Sequence, residues 1–182
     1  MERKLTREVN IGGLKMGGTN PVIIQSMCNT KTQNVEGTVR QIHALEQAGC
    51  QVVRLAIPDM AAAQAIPAIK KQIHIPLVAD IHFDHRLALE ALKGGIDKIR
   101  INPGNIGEKA NVKAVADACK AAGVPIRVGV NSGSVDADLR EKYGVTPETL
   151  CQAALRNLEQ LEDCGFYDTC VSLKMSNVFG TI

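Results

Sequence analysis

The sequence predicts an α/β protein whose parallel sheet curls into a TIM-type (β/α)8 barrel, incomplete at about six β/α units, with an N-terminal β-hairpin. Three observations predict it. An amphipathic helix, a glycine and an apolar strand recur in that order along the chain. The strands are β-branched and nearly all apolar, as a sheet covered on both faces requires. No Gly-x-Gly-x-x-Gly follows any strand, which argues against a doubly wound open sheet.

The elements follow in order. "REVNIGGLKMGG" alternates Val9, Ile11, Leu14 and Met16 around Gly12-Gly13, the pattern of a hairpin. Its expected role is a lid over the N-terminal end of the barrel. "PVIIQSM" is the first barrel strand. A helix over residues 34–48 follows, with Asn34 as N-cap, a stripe of Val35, Val39, Ile42 and Leu45, and Gly49 as its stop. "QVVRLAI" is strand two. An Ala-rich helix over residues 60–71 leads through Pro76 to "LVADI". A helix over residues 85–93, with Asp84 as N-cap, ends at Gly94-Gly95 before "DKIRI". A helix over residues 108–122 ends at Gly123-Val124-Pro125 before "IRVGV". The last helix, residues 147–164, ends at Gly165 before "DTCVSLK". A complete barrel has eight units and typically about 250 residues. The 182-residue chain is therefore expected to be the N-terminal part of a substrate-binding barrel, with the later units beyond Ile182.

Composition narrows the function. The chain is 45% hydrophobic and 22% charged, which fits one globular domain with a substantial core. A net charge of +2 and 3% aromatics without Trp argue against nucleic acid. No apolar run approaches the roughly 20 residues of a membrane span, and "MERKLTREV" lacks the apolar core of a signal peptide, so the cytoplasm is the expected location. Cys28, Cys50, Cys119, Cys151, Cys164 and Cys170 form no Cys-x-x-Cys pair. They are expected to be reduced, mostly buried fillers, Cys28 included, and no metal site is expected from this chain alone.

Active sites of such barrels stand at the C-terminal strand ends. Those ends carry Arg54 on strand two, Asp80 and His82 on strand three, Arg100 and Asn102 on strand four, Arg127 and Asn131 on strand five, and Lys174 on strand six. Cations on four strands repel one another unless an anion joins them, and guanidinium forks match phosphate oxygens. Arg127 lies near the start of its strand and is the candidate that also suits a position facing the helices. "DIHFDHR" raises a metal reading through Asp80, His82 and His85, but it lacks a further ligand. A substrate contact, or a hydrogen bond that orients Asp80, is the preferred role for His82. His43 and His74 are read as structural.

Six ordered motifs, "VIIQSMCNT", "VVRLAIPD", "VADIHFD", "KIRINPGN", "IRVGVNSGS" and "VSLKMSN", resemble the N-terminal barrel of the (E)-4-hydroxy-3-methylbut-2-enyl diphosphate synthase (IspG/GcpE) family. The resemblance spans essentially the whole chain. It implies an oxidoreductase of the methylerythritol phosphate route to isoprenoids. Such an enzyme opens 2-C-methyl-D-erythritol 2,4-cyclodiphosphate by reductive dehydration to 4-hydroxy-3-methylbut-2-enyl diphosphate. It implies diphosphate contacts from Arg54, Arg100, Asn102, Arg127, Asn131 and Lys174, with Asp80 and His82 at the family's acidic and histidine positions. It further implies a [4Fe-4S] cluster on a separate C-terminal domain, ferredoxin or flavodoxin as electron donor, and a homodimer. The cluster ligands and the barrel glutamate that acts as acid are expected beyond Ile182, so no catalytic residue is expected here and the chain alone is expected to be inactive. Two positions depart from the family pattern: Cys28 stands for Thr in "SMTNT" and Ser132 for Ala in "NAGS". Two other readings compete. One is a pterin-binding barrel of the dihydropteroate synthase kind, disfavoured by the lack of an Asn-x-Thr-x-Asp-Ser-Phe loop. The other is a catalytically inert barrel fragment.

Overall fold

A computed structural model describes residues 4–182; the first three residues of "MERKLTREV" lie outside the described residues. The chain opens with the antiparallel hairpin β1 (Val9–Ile11) and β2 (Leu14–Met16), paired Val9 to Met16 and Ile11 to Leu14. Gly12 and Gly13 turn it at φ +55° and +96°, the positive values that a two-residue hairpin turn demands. A side chain at Gly12 would also strike Asp97 and Pro76 at 2.8–2.9 Å, so the turn lies directly on the sheet. Ile11 is buried against Val52 and Val78, near the starts of their strands. The hairpin thus covers the N-terminal end of the sheet, as expected.

The main sheet has six parallel strands in sequential order: β3 (Gln25–Met27), β4 (Val52–Ala56), β5 (Leu77–Asp80), β6 (Lys98–Ile101), β7 (Ile126–Asn131) and β8 (Thr169–Lys174). Between them run α1 (Val35–Gln47), α2 (Met60–Lys70), α3 (His85–Lys93), α4 (Lys109–Ala122), α5 (Ala137–Tyr143) and α6 (Pro147–Glu162), and α7 (Val178–Thr181) follows β8. This is a curled half-barrel wrapped by helices. The local signals act as read: the Asn34 side chain accepts from Gly37 N, Asp84 accepts from Arg86 N, and Gly123 caps α4 in the left-handed conformation.

Period-two alternation divides the strands. Val53, Leu55, Leu77, Ala79, Ile99, Ile101, Ile126 and Val128 are fully buried and pack with Ile42, Ile66, Ala88, Val115 and Ala153 of the helices. Each such branched side chain contributes about 1.5–3 kcal/mol. The alternate positions face the lumen: Arg54, Asp80, Lys98, Arg100, Arg127, Gly129, Ser172 and Lys174. Barrel interiors are commonly filled by branched apolar residues; this one is lined with charge.

Two features differ from the sequence reading, and a third decides between the two orientations open to Arg127. The first barrel strand is only Gln25–Met27, and Val22 and Ile24, at 81% and 60% exposure, lie outside it. Ile24 N instead donates to the Gln51 side chain at 2.9 Å. Helix α5 was not foreseen. Its sequence is mostly charged, with Leu139 as its one buried residue, so no apolar stripe announces it. Arg127 does not face the helices: Ile126 turns outward, which directs Arg127 into the lumen level with Arg100.

Candidate functional site

The strand ends converge on Asp80. It is 4% exposed at the C-terminal end of β5. Arg100 Nη1 donates to its Oδ1 at 3.1 Å. Its Oδ2 lies 3.6 Å from Arg54 Nε and 3.6 Å from His82 Nε2. Arg100 is held further by Gly129, whose carbonyl accepts from Nη2 at 3.3 Å, and by His82 Nδ1, 3.4 Å from Nη1. A side chain at Gly129 would collide with this guanidinium, its Cβ 2.7 Å from Arg100 Nε. Arg54 also donates to the Met27 sulfur from Nε and Nη2 at 3.2 and 3.0 Å. Arg127 Nη2 donates to Ser172 Oγ at 2.5 Å.

These groups line a cavity of about 160 Å³, which Asn131 and Lys174 complete from the ends of β7 and β8. Four cations, Arg54, Arg100, Arg127 and Lys174, face one carboxylate there. The crowding bears on Arg127: burial, then Arg54 and Arg100, push its pKa below the ordinary arginine value. An arriving anion relieves that repulsion and supplies acceptors for donors already aimed at the cavity.

Seven of the eight sequence candidates therefore meet: Arg54, Asp80, His82, Arg100, Arg127, Asn131 and Lys174. Asn102 stands apart. It is 3% exposed, and its Oδ1 caps the turn Pro103–Asn105 by accepting from Gly104 N at 3.2 Å. Gly104 N also donates to Asn157 Oδ1 at 3.0 Å, and Asn102 is not among the residues that line the cavity.

Residues the sequence reading missed stand in the site or next to it in the lumen. Lys98 precedes Arg100 by two positions on the lumen face, so the alternation in "DKIRI" was its signal. It is 3% exposed, with Gln25 Oε1 at 3.4 Å. Burial pushes its pKa down to about 8; Cys170 opposes the fall, and Arg127 and Arg54 add to it. Gly129 and Ser172 carried no chemical signal and matter through space and one hydroxyl. The two family departures also find places. Cys28 is buried, and burial, with Cys50 nearby, pushes its pKa up to about 11, which favours the thiol form. Ser132 Oγ accepts from Ser176 N at 3.3 Å, tying the loop after β7 to that after β8. His85 lies beside Asp84 at 4.0 Å, and among the described residues it forms no metal-ligand cluster with Asp80 and His82.

Comparison with known proteins adds the following. The model of the GcpE TIM-barrel domain matches residues 6–182. The chain is 56% identical over 181 residues to a protein of Caldanaerobacter subterraneus subsp. tengcongensis, covering 99% of this chain and 51% of that one. It is 58% identical over 177 residues to one of Lysinibacillus sphaericus, covering 97% and 48%. Both relatives are named 4-hydroxy-3-methylbut-2-en-1-yl diphosphate synthase (flavodoxin). The chain thus spans about half the length of the curated relatives it matches. Among solved structures, Yersinia pestis dihydropteroate synthase superposes with TM-score 0.65 at 14% identity, over 90% of this chain and 61% of that one. Type I 3-dehydroquinate dehydratase of Clostridium difficile does so at 0.67 and 13%, over 94% and 70%. At such identities the likeness is one of fold alone.

Proposed function

The chain belongs to the GcpE TIM-barrel domain family, and from that premise we propose that it is the N-terminal, diphosphate-binding part of a longer 4-hydroxy-3-methylbut-2-en-1-yl diphosphate synthase. The substrate of the longer protein is 2-C-methyl-D-erythritol 2,4-cyclodiphosphate, reductively opened and dehydrated to 4-hydroxy-3-methylbut-2-enyl diphosphate in isoprenoid biosynthesis. The observation that carries this reading is the cavity in which four strand-end cations surround the single carboxylate of Asp80.

In this reading Arg54, Arg100, Arg127 and Lys174 hold the two phosphates and Asn131 adds a neutral contact. Asp80 keeps Arg54 and Arg100 from splaying apart before the ligand arrives. His82, between Asp80 and Arg100, orients the pair and faces the cavity. Asn102 supports the turn after β6. Held this way, the ring is fixed at the strand ends and its diphosphate charge is neutralised where an incoming electron would otherwise be repelled.

The [4Fe-4S] cluster implied by the resemblance does not fit this chain's cysteines. Cluster ligands are thiolates, but burial pushes Cys28 up to about 11 and Cys119 to about 12. Among the described residues no three cysteines converge. We therefore assign the cluster ligands, and the acid of the reaction, to the remainder of the longer protein. Its electron donor is a flavodoxin, as the names of the relatives state for those proteins, with ferredoxin as the other small carrier the resemblance allows. The assembly is a homodimer. The location is the cytoplasm; no helix among the described residues is long and apolar enough to cross a membrane.

Calorimetric titration of the chain with the cyclic diphosphate tests the assignment. Binding is expected without turnover, and Arg100→Ala is expected to weaken it by about 1.5–3 kcal/mol. Unchanged affinity in that variant removes Arg100 from the site. Anaerobic iron–sulfur reconstitution that yields a cluster and product from this chain alone overturns the division of labour.

A further inference from the structure

The strand starts, opposite the cationic cavity, carry a second cluster of chemically active side chains. His43 and Glu46 stand three residues apart on one face of the last turns of α1. His74 reaches them from the segment between α2 and β5. The two imidazole rings lie 6.1 Å apart, centroid to centroid, inclined by 24°. One donor atom from each of the three residues lies within 4.8 Å of the others.

The surroundings orient these groups. Glu46 Oε1 accepts from His74 N at 2.8 Å and from Ile75 N at 3.3 Å, while Oε2 lies 3.3 Å from His74 Nδ1. Burial raises the Glu46 pKa, but hydrogen bonds from His74 and Ile75 lower it below the ordinary value on balance, so it stands as a carboxylate. His43 Nε2 lies 2.7 Å from the Gln72 carbonyl. In a neutral ring that carbonyl fixes the proton on Nε2 and leaves the lone pair on Nδ1, as outer partners do for metal-binding histidines. We propose that His43, Glu46 and His74 form a binding site for one divalent ion of the zinc or cobalt type. The ion clamps the end of α1 to the segment that leads into β5.

Two imidazoles and a carboxylate are a borderline nitrogen and oxygen set, suited to zinc and cobalt, with water in the fourth position. Bonds of about 2.0–2.2 Å place tetrahedral donors about 3.4 Å apart, so donors within 4.8 Å of one another must close by up to about 1.4 Å. His74 supplies that movement, since its side chain is 83% exposed.

The test is titration of the tag-free chain with cobalt(II), followed by visible absorption, and then displacement by zinc. One ion per chain is expected, with nitrogen and oxygen coordination. His74→Ala, which leaves the fold intact because the side chain is exposed, is expected to weaken binding at least tenfold. His43→Gln should do the same, while Cys151→Ser leaves the affinity unchanged. Wild-type affinity in His74→Ala overturns the proposal. So does a thiolate-to-cobalt band, which would assign the ion to cysteine.

Discussion

Replacing Gly129 by alanine separates placement of the ligand-binding arginine from stability of the fold. Gly129 lies inside β7 with no positive φ, so the strand accepts an alanine backbone without strain. The new Cβ, however, would stand 2.7 Å from Arg100 Nε and 3.0 Å from Nη2. The guanidinium must yield, and it is 10% exposed with little room to do so. Moving it stretches the 3.1 Å bond to Asp80 and the 3.3 Å bond to the Gly129 carbonyl. Charged hydrogen bonds contribute about 1.5–3 kcal/mol each. Against that loss, alanine restricts the unfolded chain and returns about 0.4–1 kcal/mol. If one of the two bonds is lost and the other only lengthens, the net loss of stability is about 0.5–2.6 kcal/mol. Ligand affinity should fall by the full contribution of a misplaced arginine, roughly 10- to 150-fold. Calorimetry with the cyclic diphosphate reads the loss of affinity, and thermal melting reads the loss of stability. If Gly129→Ala binds as tightly as the unaltered chain, the argument that Asp80 and Gly129 position Arg100 for the ligand is wrong.

Asp80→Asn removes the carboxylate from a buried ion pair and should cost about 3–5 kcal/mol. Added phosphate or high salt should restore part of the melting temperature, and a salt-independent loss would contradict the electrostatic account. Lys98 has a folded-state pKa near 8, below its ordinary value, so between these the unfolded chain binds more protons and stability from this group rises with pH. Cys28 and Cys119, with raised values, act in the opposite sense at alkaline pH. The comparison is therefore wild type against Lys98→Met: the variant should gain stability below about pH 8 and lose that advantage by about pH 10. Parallel melting curves across this range would sink the assignment. Strands β3 and β8 each pair on one side only within the described sheet. Such edges favour association, so light scattering should show oligomers of this chain at micromolar concentration, and a stable monomer would contradict it.

The repeated helix, glycine and strand phrase determined the fold from sequence alone, because the helix-facing residue at every second strand position must be apolar, a pattern that survives without coordinates. The hairpin turn at Gly12-Gly13 and the caps at Asn34 and Asp84 were legible for a similar reason, since each is a local demand met within a few residues. The charged candidates were legible because a cation in an apolar strand is costly and so conspicuous. Other features required the tertiary structure. The inward aim of Arg127 depends on where β7 begins its pleat, and a one-residue change of register would have reversed it. That Asn102 caps its own turn, where Gly104 N donates both to it and to Asn157 of α6, is visible only once α6 is packed beside that turn. The roles of Gly129 and Lys98 arise between strands: one leaves room for a guanidinium from β6, and the other is a buried cation next to Gln25 of β3. Alternation along a strand is written in sequence, but what lies across the lumen depends on how several strands are staggered as the sheet curls, and only packing sets that stagger.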